Sequence, residues 1–379
     1  MGSNVNIFKN NMKYTIKNRQ KLLWEKYLRR KKRIKYNKRK KNISKRDPFN
    51  KGKELLKDYI EIPSQLSFKN NWDSTVKTLS DIQKAIKYRF TKIKRHIHID
   101  HSKMEIISPA SVLVLASTIE RSQKQARIQF KGVNEFLPKN DVVRYLLNEI
   151  DYWKYFDVPK LKTSITQDRF SFFKILDSYE VDNTKIGKMI EFFEKKVGFN
   201  GNAKSLLFTA LCEASANTVE HGYNSFQFNK DTDRWWLTAN IDKKDCTISF
   251  VFYDQGMGIF KSLENHRSIP VRKLFLKAQR LIKDKPNAKI LQHMLRENYS
   301  RHKIKNRGYG MQTFKKFIDG AEDGLLFIAS ENASYEYPKD ILREYTKKLN
   351  GTLIVWQIKV SYDITSNMYL KNGEKNDSI

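Results

Sequence analysis

The chain has 379 residues, 40% hydrophobic and 12% aromatic, enough for two ordinary domains or one large domain with an arm. A formal net charge of +32 favours a polyanionic partner, while only two cysteines, Cys212 and Cys246, exclude a disulfide framework and point to a reducing, cytoplasmic setting. The longest apolar run, near Pro109–Ala116, is too short to cross a bilayer, and no apolar signal-peptide segment follows the basic N-terminus.

The charge is concentrated in two stretches. Residues 1–50 carry 18 Lys/Arg against Glu25 and Asp47, and residues 261–307 carry 14 against Glu264, Asp284 and Glu297. Nucleic acid or another polyanion fits both stretches; a lysine-rich composition with no partner fits them as well. Residues 1–53 read as a basic arm. Within it Leu23, Trp24, Tyr27 and Leu28 form a small apolar stripe at helical spacing, as in a docked basic helix or one turn of a solvated arm.

Residues 54–160 read as a small α/β unit. Strands are predicted in "IEIPSQLSF", "HIHID" and "ARIQFKGV". Helices are predicted in "SPASVLVLASTIERSQKQA", with Pro109 near its first position, and in "NDVVRYLLNEIDYWKYF", capped by Asn140 or Asp141. This order implies a small sheet covered by helices. His96 and His98 share one strand face and His101 is out of phase, so a closed metal site lacks ligands. The strand–"SPASVLVL"–strand arrangement resembles a STAS domain, the fold of anti-sigma-factor antagonists. In that family a serine of the turn is phosphorylated; Ser108 and Ser111 hold the matching positions, and both also suit helix caps.

In residues 161–362, "DNTKIGKMIEFFEKKVG" has an Asp/Asn start and a Gly stop and reads as a helix. The next helix contains "ALCEASANTVEHG". It is apolar almost all round and so is expected to be buried. Glu213, Asn217 and His221 stand at i, i+4 and i+8 and therefore share one face. Burial makes unpartnered polar groups costly. The three are expected to line a cavity holding water, an ion or a ligand, or to close on one another as a network.

"DRWWLTANID" and "DCTISFVFYDQG" read as paired strands. At the second one's end, "YDQGMGI" places Asp254 before two glycines, which let a backbone approach a flat ring while the carboxylate accepts from an exocyclic amine. A plain capped turn has the same string. The long segment 260–306 contains two stretches of helical apolar spacing, "PVRKLFLKAQRLIKDKP" and "AKILQHMLRENYSRHKIKN". "RGYGMQ" then frees a loop before a helix, whose N–H groups suit phosphate. "GLLFIAS" reads as a strand, and "NGTLIVWQIKV" as a last strand after an Asn-Gly turn. The tail, residues 363–379, is polar.

Taken in order, with Gly351–Thr352 after them, these segments resemble the ATP-binding domain of the GHKL superfamily (the Bergerat, histidine-kinase-like fold). "EASANTVEHG" is similar to its N box, "DQGMGI" to its G1 box and "RGYGMQ" to its G2 box, over about residues 165–360. The E-x-x-x-N-x-x-x-H form most resembles anti-sigma-factor serine kinases. The resemblance implies an α/β (α+β) fold: a two-layer sandwich over 161–362, preceded by the STAS-like unit and the arm. It further implies ATP and Mg²⁺ as cofactors. Asn217 coordinates the metal, and Glu213 orients or activates an attacking water or hydroxyl. Asp254 takes the adenine amino group with Thr352 in support. Gly256 and Gly258, with Ile259 beside them, admit the base. Arg307, Gly308, Tyr309, Gly310 and Met311 close over the phosphates, His221 lies near triphosphate or ribose, and residues 260–306 form the ATP lid.

The function so implied is a Mg-ATP-binding ATPase module acting as a nucleotide-controlled switch in a bacterial regulatory system. Two alternatives stay open: a protein serine kinase acting on a STAS-like partner, and an ATP-gated nucleic-acid-binding regulator using the arm and lid. A homodimer is compatible with each. No phospho-acceptor helix pair is read upstream and no lysine-bearing domain downstream, so histidine-kinase and clamp chemistry are not expected.

Overall fold

The computed structural model describes residues 59–88, 98–127, 136–165, 169–198, 201–223, 228–266, 269–296, 310–362 and 368–369. The basic arm, His96, most of "ARIQFKGV", the end of the lid segment, Arg307, Gly308, Tyr309 and nearly all of the tail lie outside them.

Residues 58–379 form one compact α/β unit. It opens with two short parallel pairs, β1 (Tyr59–Glu61) with β3 (His98–Asp100) and β2 (Gln65–Leu66) with β4 (Ile106–Ile107). Helices α1 (Trp72–Tyr88), α2 (Pro109–Ala126) and α3 (Asp141–Glu149) accompany them, and a 3-10 turn spans Tyr152–Phe156. The starts of α2 and α3 follow local chemistry. The Ser108 hydroxyl accepts from the Ser111 N–H, with Pro109 at the first turn where no N–H is needed. The Asn140 amide oxygen accepts from the N–H groups of Val142 and Val143.

A five-stranded antiparallel sheet organises the remainder. Its strands are β5 (Phe170–Ser178), β6 (Trp235–Asp242), β7 (Thr247–Asp254), β8 (Gly324–Tyr337) and β9 (Ile341–Lys359), in the order β5-β6-β7-β9-β8. Between them run α4 (Asn183–Val197), α5 (Gly201–Asn217), α6 (Ile259–Glu264), α7 (Ile269–Leu281), α8 (Pro286–Arg296) and α9 (Gly310–Asp319); β10 (Ser361–Tyr362) pairs with β11 (Met368–Tyr369). Asp182 caps α4, and Gly198 ends it with φ of 64°.

Helices cover both faces of the sheet. On the front, Leu207 and Leu211 of α5, Phe193 of α4 and Phe314 and Phe317 of α9 meet Trp235, Leu237, Phe250, Phe252, Ile328 and Trp356. On the back, α2 lies over β6 and β7 and α1 over β9, against Trp236, Val251, Tyr253, Phe327, Ala329 and Leu353. The segment 59–156 is thus a third layer built on this sheet. Each large side chain buried there contributes about 1.5–3 kcal/mol of transfer energy. Polar anchors fix the layer: Trp236 Nε1 donates to Glu120 at 2.7 Å, Trp72 Nε1 to the Lys347 carbonyl at 3.0 Å, and Trp72 stacks on Tyr345 with centroids 4.0 Å apart.

The Asn-Gly turn expected before the last strand does not form. β9 runs through Asn350–Gly351, and the ladder shifts register there: Ser330 pairs Thr352 while Glu331 pairs Leu349. The two residues bulge out without breaking the strand, because β8 continues to pair beyond them. The resulting long hairpin supports α8. Glu344 of β9 accepts from the N–H groups of Asn287 and Ala288 at 2.7 and 3.2 Å, and Arg296 pairs with Asp340. Among the described residues no helix is long and apolar enough to cross a membrane.

Candidate functional site

Helix α5 buries Ala203, Leu207, Ala210, Leu211 and Ala214, while Leu206, Phe208 and Cys212 are half-buried and Val219, just beyond it, is exposed. It is a one-sided helix of the front layer, which corrects the expectation of burial all round. Its α-helical pitch also stops at Asn217, and Thr218–Gly222 form a π-helical turn. Such turns are rare and concentrate at functional sites.

Glu213 and Asn217 keep α-helical spacing and come together, the Asn217 amide donating to Glu213 Oε1 at 3.4 Å. Both are half-buried. Burial pushes the Glu213 carboxyl above its ordinary range, Glu220 adds to this, and the Asn217 amide opposes it. His221 lies in the wider turn. Its side chain is exposed, 3.7 Å from Glu220, and its ring is 6.2 Å from that of His266.

Asp254 ends β7 in register with Thr352 of β9. It is buried. The Gly256 N–H donates to its Oδ1 at 2.7 Å, and Thr352 donates through both hydroxyl and backbone. Burial outweighs these bonds and the nearby Arg121 charge, so the carboxyl is pushed up to about 6. Such a group works as a hydrogen-bond acceptor at neutral pH and is costly to keep ionised.

The surrounding backbone leaves no room for side chains. A Cβ on Gly256 would lie 2.4 Å from the Gly222 carbonyl oxygen, and one on Gly351 would lie 1.9 Å from that of Asp254. Gly351 has φ of +88° and Gly258 φ of +83°, where L-residues are strained. The Met257 N–H donates to the Gly222 carbonyl at 2.7 Å. The end of the π turn is thereby tied to the turn after β7, and Asp254 is brought beside the end of the helix that carries Glu213 and Asn217. Ser330 clips the other side: its hydroxyl accepts from the Ile259 N–H and donates to the Gly351 carbonyl, both at 2.9 Å.

Of the remaining predicted positions, Gly310 opens α9 and Met311 is half-buried against the front core; Arg307, Gly308 and Tyr309 are outside the described residues. His101 is a core residue, its Nε2 2.8 Å from the Tyr152 hydroxyl and its pKa pushed down to about 4 by burial. Ser108 caps α2, while Ser111 is buried 3.0 Å from the Ser108 hydroxyl. Within the lid segment, α7 and α8 form in the two stretches of helical apolar spacing, the second described as far as Arg296, and α6 is a short helix the sequence reading did not predict.

Sequence reasoning passed over Gly222 and Gly351 as site residues, and Arg121, Tyr223, Gln255 and Ser330 altogether. The two glycines stand in quoted motifs and carried a signal. The other four act through tertiary contacts that no spacing encodes. No protein-family model and no curated protein matches this chain.

Proposed function

We propose that the protein binds Mg-ATP in a Bergerat-type site of GHKL character and works as a nucleotide-controlled switch with slow turnover. One observation carries this reading. A buried carboxylate at the end of an inner strand is enclosed by glycines that admit no Cβ, and it lies beside the end of the helix bearing a Glu–Asn pair. That cradle fits a flat base whose amino group donates to Asp254, with Thr352 holding the acceptor oriented. The Asn217 amide turns its N–H₂ toward Glu213, which leaves its oxygen for a hard cation. Bound Mg²⁺ supplies charge neutralisation at the phosphates. Burial raises the Glu213 carboxyl, which makes it a stronger base toward an attacking water or hydroxyl.

Purified protein incubated with γ-labelled MgATP distinguishes the outcomes. Free phosphate that disappears in Glu213→Ala is expected. Label on a serine of the protein or of a STAS-like partner assigns a kinase instead. Absence of adenine-nucleotide binding at millimolar concentration overturns the reading.

A second reading rests on α7. Its Arg272, Lys273, Lys277 and Arg280 are exposed, and among the described residues no carboxylate pairs with them. Helical spacing puts Lys273, Lys277 and Arg280 along one face, as in a row of phosphate contacts. On this reading the lid segment grips nucleic acid, and charge reversal at these three positions lowers the salt dependence of binding by about 0.9 per lost contact. An unchanged slope sinks it.

A further inference from the structure

The turn after β7 is held from behind by the third layer. Arg121 of α2 donates through Nη1 to the Gln255 carbonyl at 2.5 Å, and its Nη2 pairs with Asp233 at 3.1 Å. Its guanidinium lies 5.5 Å from the centre of the Tyr223 ring. The Tyr223 hydroxyl in turn accepts from the Gln255 N–H at 3.1 Å and donates to the Arg234 carbonyl at 2.6 Å. The Gln255 side chain reaches back to α2 as well, Nε2 to the Ser117 hydroxyl at 3.1 Å. One arginine thus touches the residue after Asp254 and the residue after Gly222, the two ends of the cradle. Among the described residues, its Nε and the Gln255 Oε1 are buried with no hydrogen-bond partner.

We propose that Arg121 is a positioning residue of the nucleotide site: from the layer behind the sheet it fixes the Asp254–Gly256 turn and sets a positive charge beside the Asp254 carboxylate. The inference rests on the adenine role of Asp254. It makes the segment 59–156 part of the nucleotide response, since a shift of α2 moves the turn that reads the base.

The groups around Asp254 define what a titration reads. Arg121 on α2 opposes protonation. Tyr223 at the end of the π turn and Tyr253 on β7 stay neutral, burial holding both phenols far above neutrality. Asp233 before β6 is paired to Arg121, and Thr352 on β9 donates. Without Arg121 the carboxylate loses that charge, so its proton is held to higher pH. Adenine binding needs the carboxylate, so affinity falls as pH drops through its pKa in the free protein.

The test is the pH profile of ATP affinity, measured by calorimetry from pH 5.5 to 8.5 on the full chain. Wild type loses affinity as pH falls through about 6. In Arg121→Gln the midpoint moves up by about one unit, which weakens binding by about twofold at pH 7, rising to about eightfold at pH 5.5, and leaves it essentially at the wild-type value at pH 8.5. Arg121→Lys restores the wild-type midpoint. A uniform weakening across pH, or no change, overturns the proposal and leaves the nucleotide reading standing. Failure of wild type to bind ATP at any pH sinks the nucleotide reading, and the coupling is then read without ligand. In urea melts the destabilisation by Arg121→Gln grows as pH rises through about 6, and in a D254N background it does not. Equal growth in both backgrounds overturns the coupling.

Discussion

Asp254 meets two opposed demands. In the proposed role of base-reading acceptor it would have to be ionised at neutral pH, yet its burial makes ionisation costly and raises its pKa from 3.8 to about 6. A pKa raised on folding contributes stability that is fully present below the unfolded value and is lost as pH rises through the folded one. The wild-type protein therefore carries a penalty at pH 8 on the order of 3 kcal/mol that is absent near pH 4. Asp254→Asn removes the titration. Whatever fixed cost its amide brings, the stability of the variant relative to wild type should rise by about that amount between pH 4 and pH 8 in urea melts. ATP affinity should be lost in the same variant. A flat difference across pH would show that this carboxyl is not the buried titrating group. Gly351 tests the same corner sterically. In Gly351→Ala a methyl would meet the Asp254 carbonyl oxygen at a φ of +88°, so strand β9 has to move. The expected loss is more than about 2 kcal/mol, visible as a lowered melting temperature.

At the scale of elements, local chemistry was legible and tertiary context was not. Ser108, Asn140 and Asp182 cap the helices they were read to start, and Gly198 stops the helix it was read to stop. Capping chemistry acts within four residues, so sequence reports it directly. Ser108→Ala should accordingly cost about 1 kcal/mol in a urea melt, and Ser108→Asp should recover most of it. Of the two serines matched to a phosphorylated turn, only Ser108 is not fully buried, so mass spectrometry after incubation with ATP should find no phosphate on Ser111. The apolar composition of α5 misled because half-buried Leu206, Phe208 and Cys212 look like core residues in a one-dimensional pattern. Asn350–Gly351 misled because its local turn preference yields to the ladder that β8 and β9 keep on either side of it. Gly222, Gly256 and Gly351 were legible as members of glycine-bearing stretches. Their meeting at Asp254 depends on pairing β7 with β9, a contact nearly a hundred residues apart in the chain.

For the whole molecule, the decisive feature is that both faces of one antiparallel sheet are buried. A sheet wet on one side alternates apolar and polar residues. "WWLTANI" and "ISFVFY" do not, and Trp235 and Trp236, on opposite faces, are both wholly buried. That departure from alternation was present in the sequence as a sign of two-sided burial. Residues 54–160 and 161–362 are therefore expected to depend on each other. Expressed alone, residues 161–362 expose Trp236, Val251, Tyr253, Phe327 and Leu353 as one contiguous apolar patch, the kind of surface that drives association. They also leave Asp233 without Arg121 of α2. The fragment should aggregate or bind hydrophobic dye, and co-expression with residues 54–160 should restore a soluble species. ATP should raise the melting temperature of that restored pair and of the intact chain to a similar extent, since α2 again supplies Arg121 behind the Asp254 turn. A soluble, cooperatively melting 161–362 fragment with unaltered ATP affinity would show instead that the third layer is dispensable, and would detach the nucleotide site from the layer behind it.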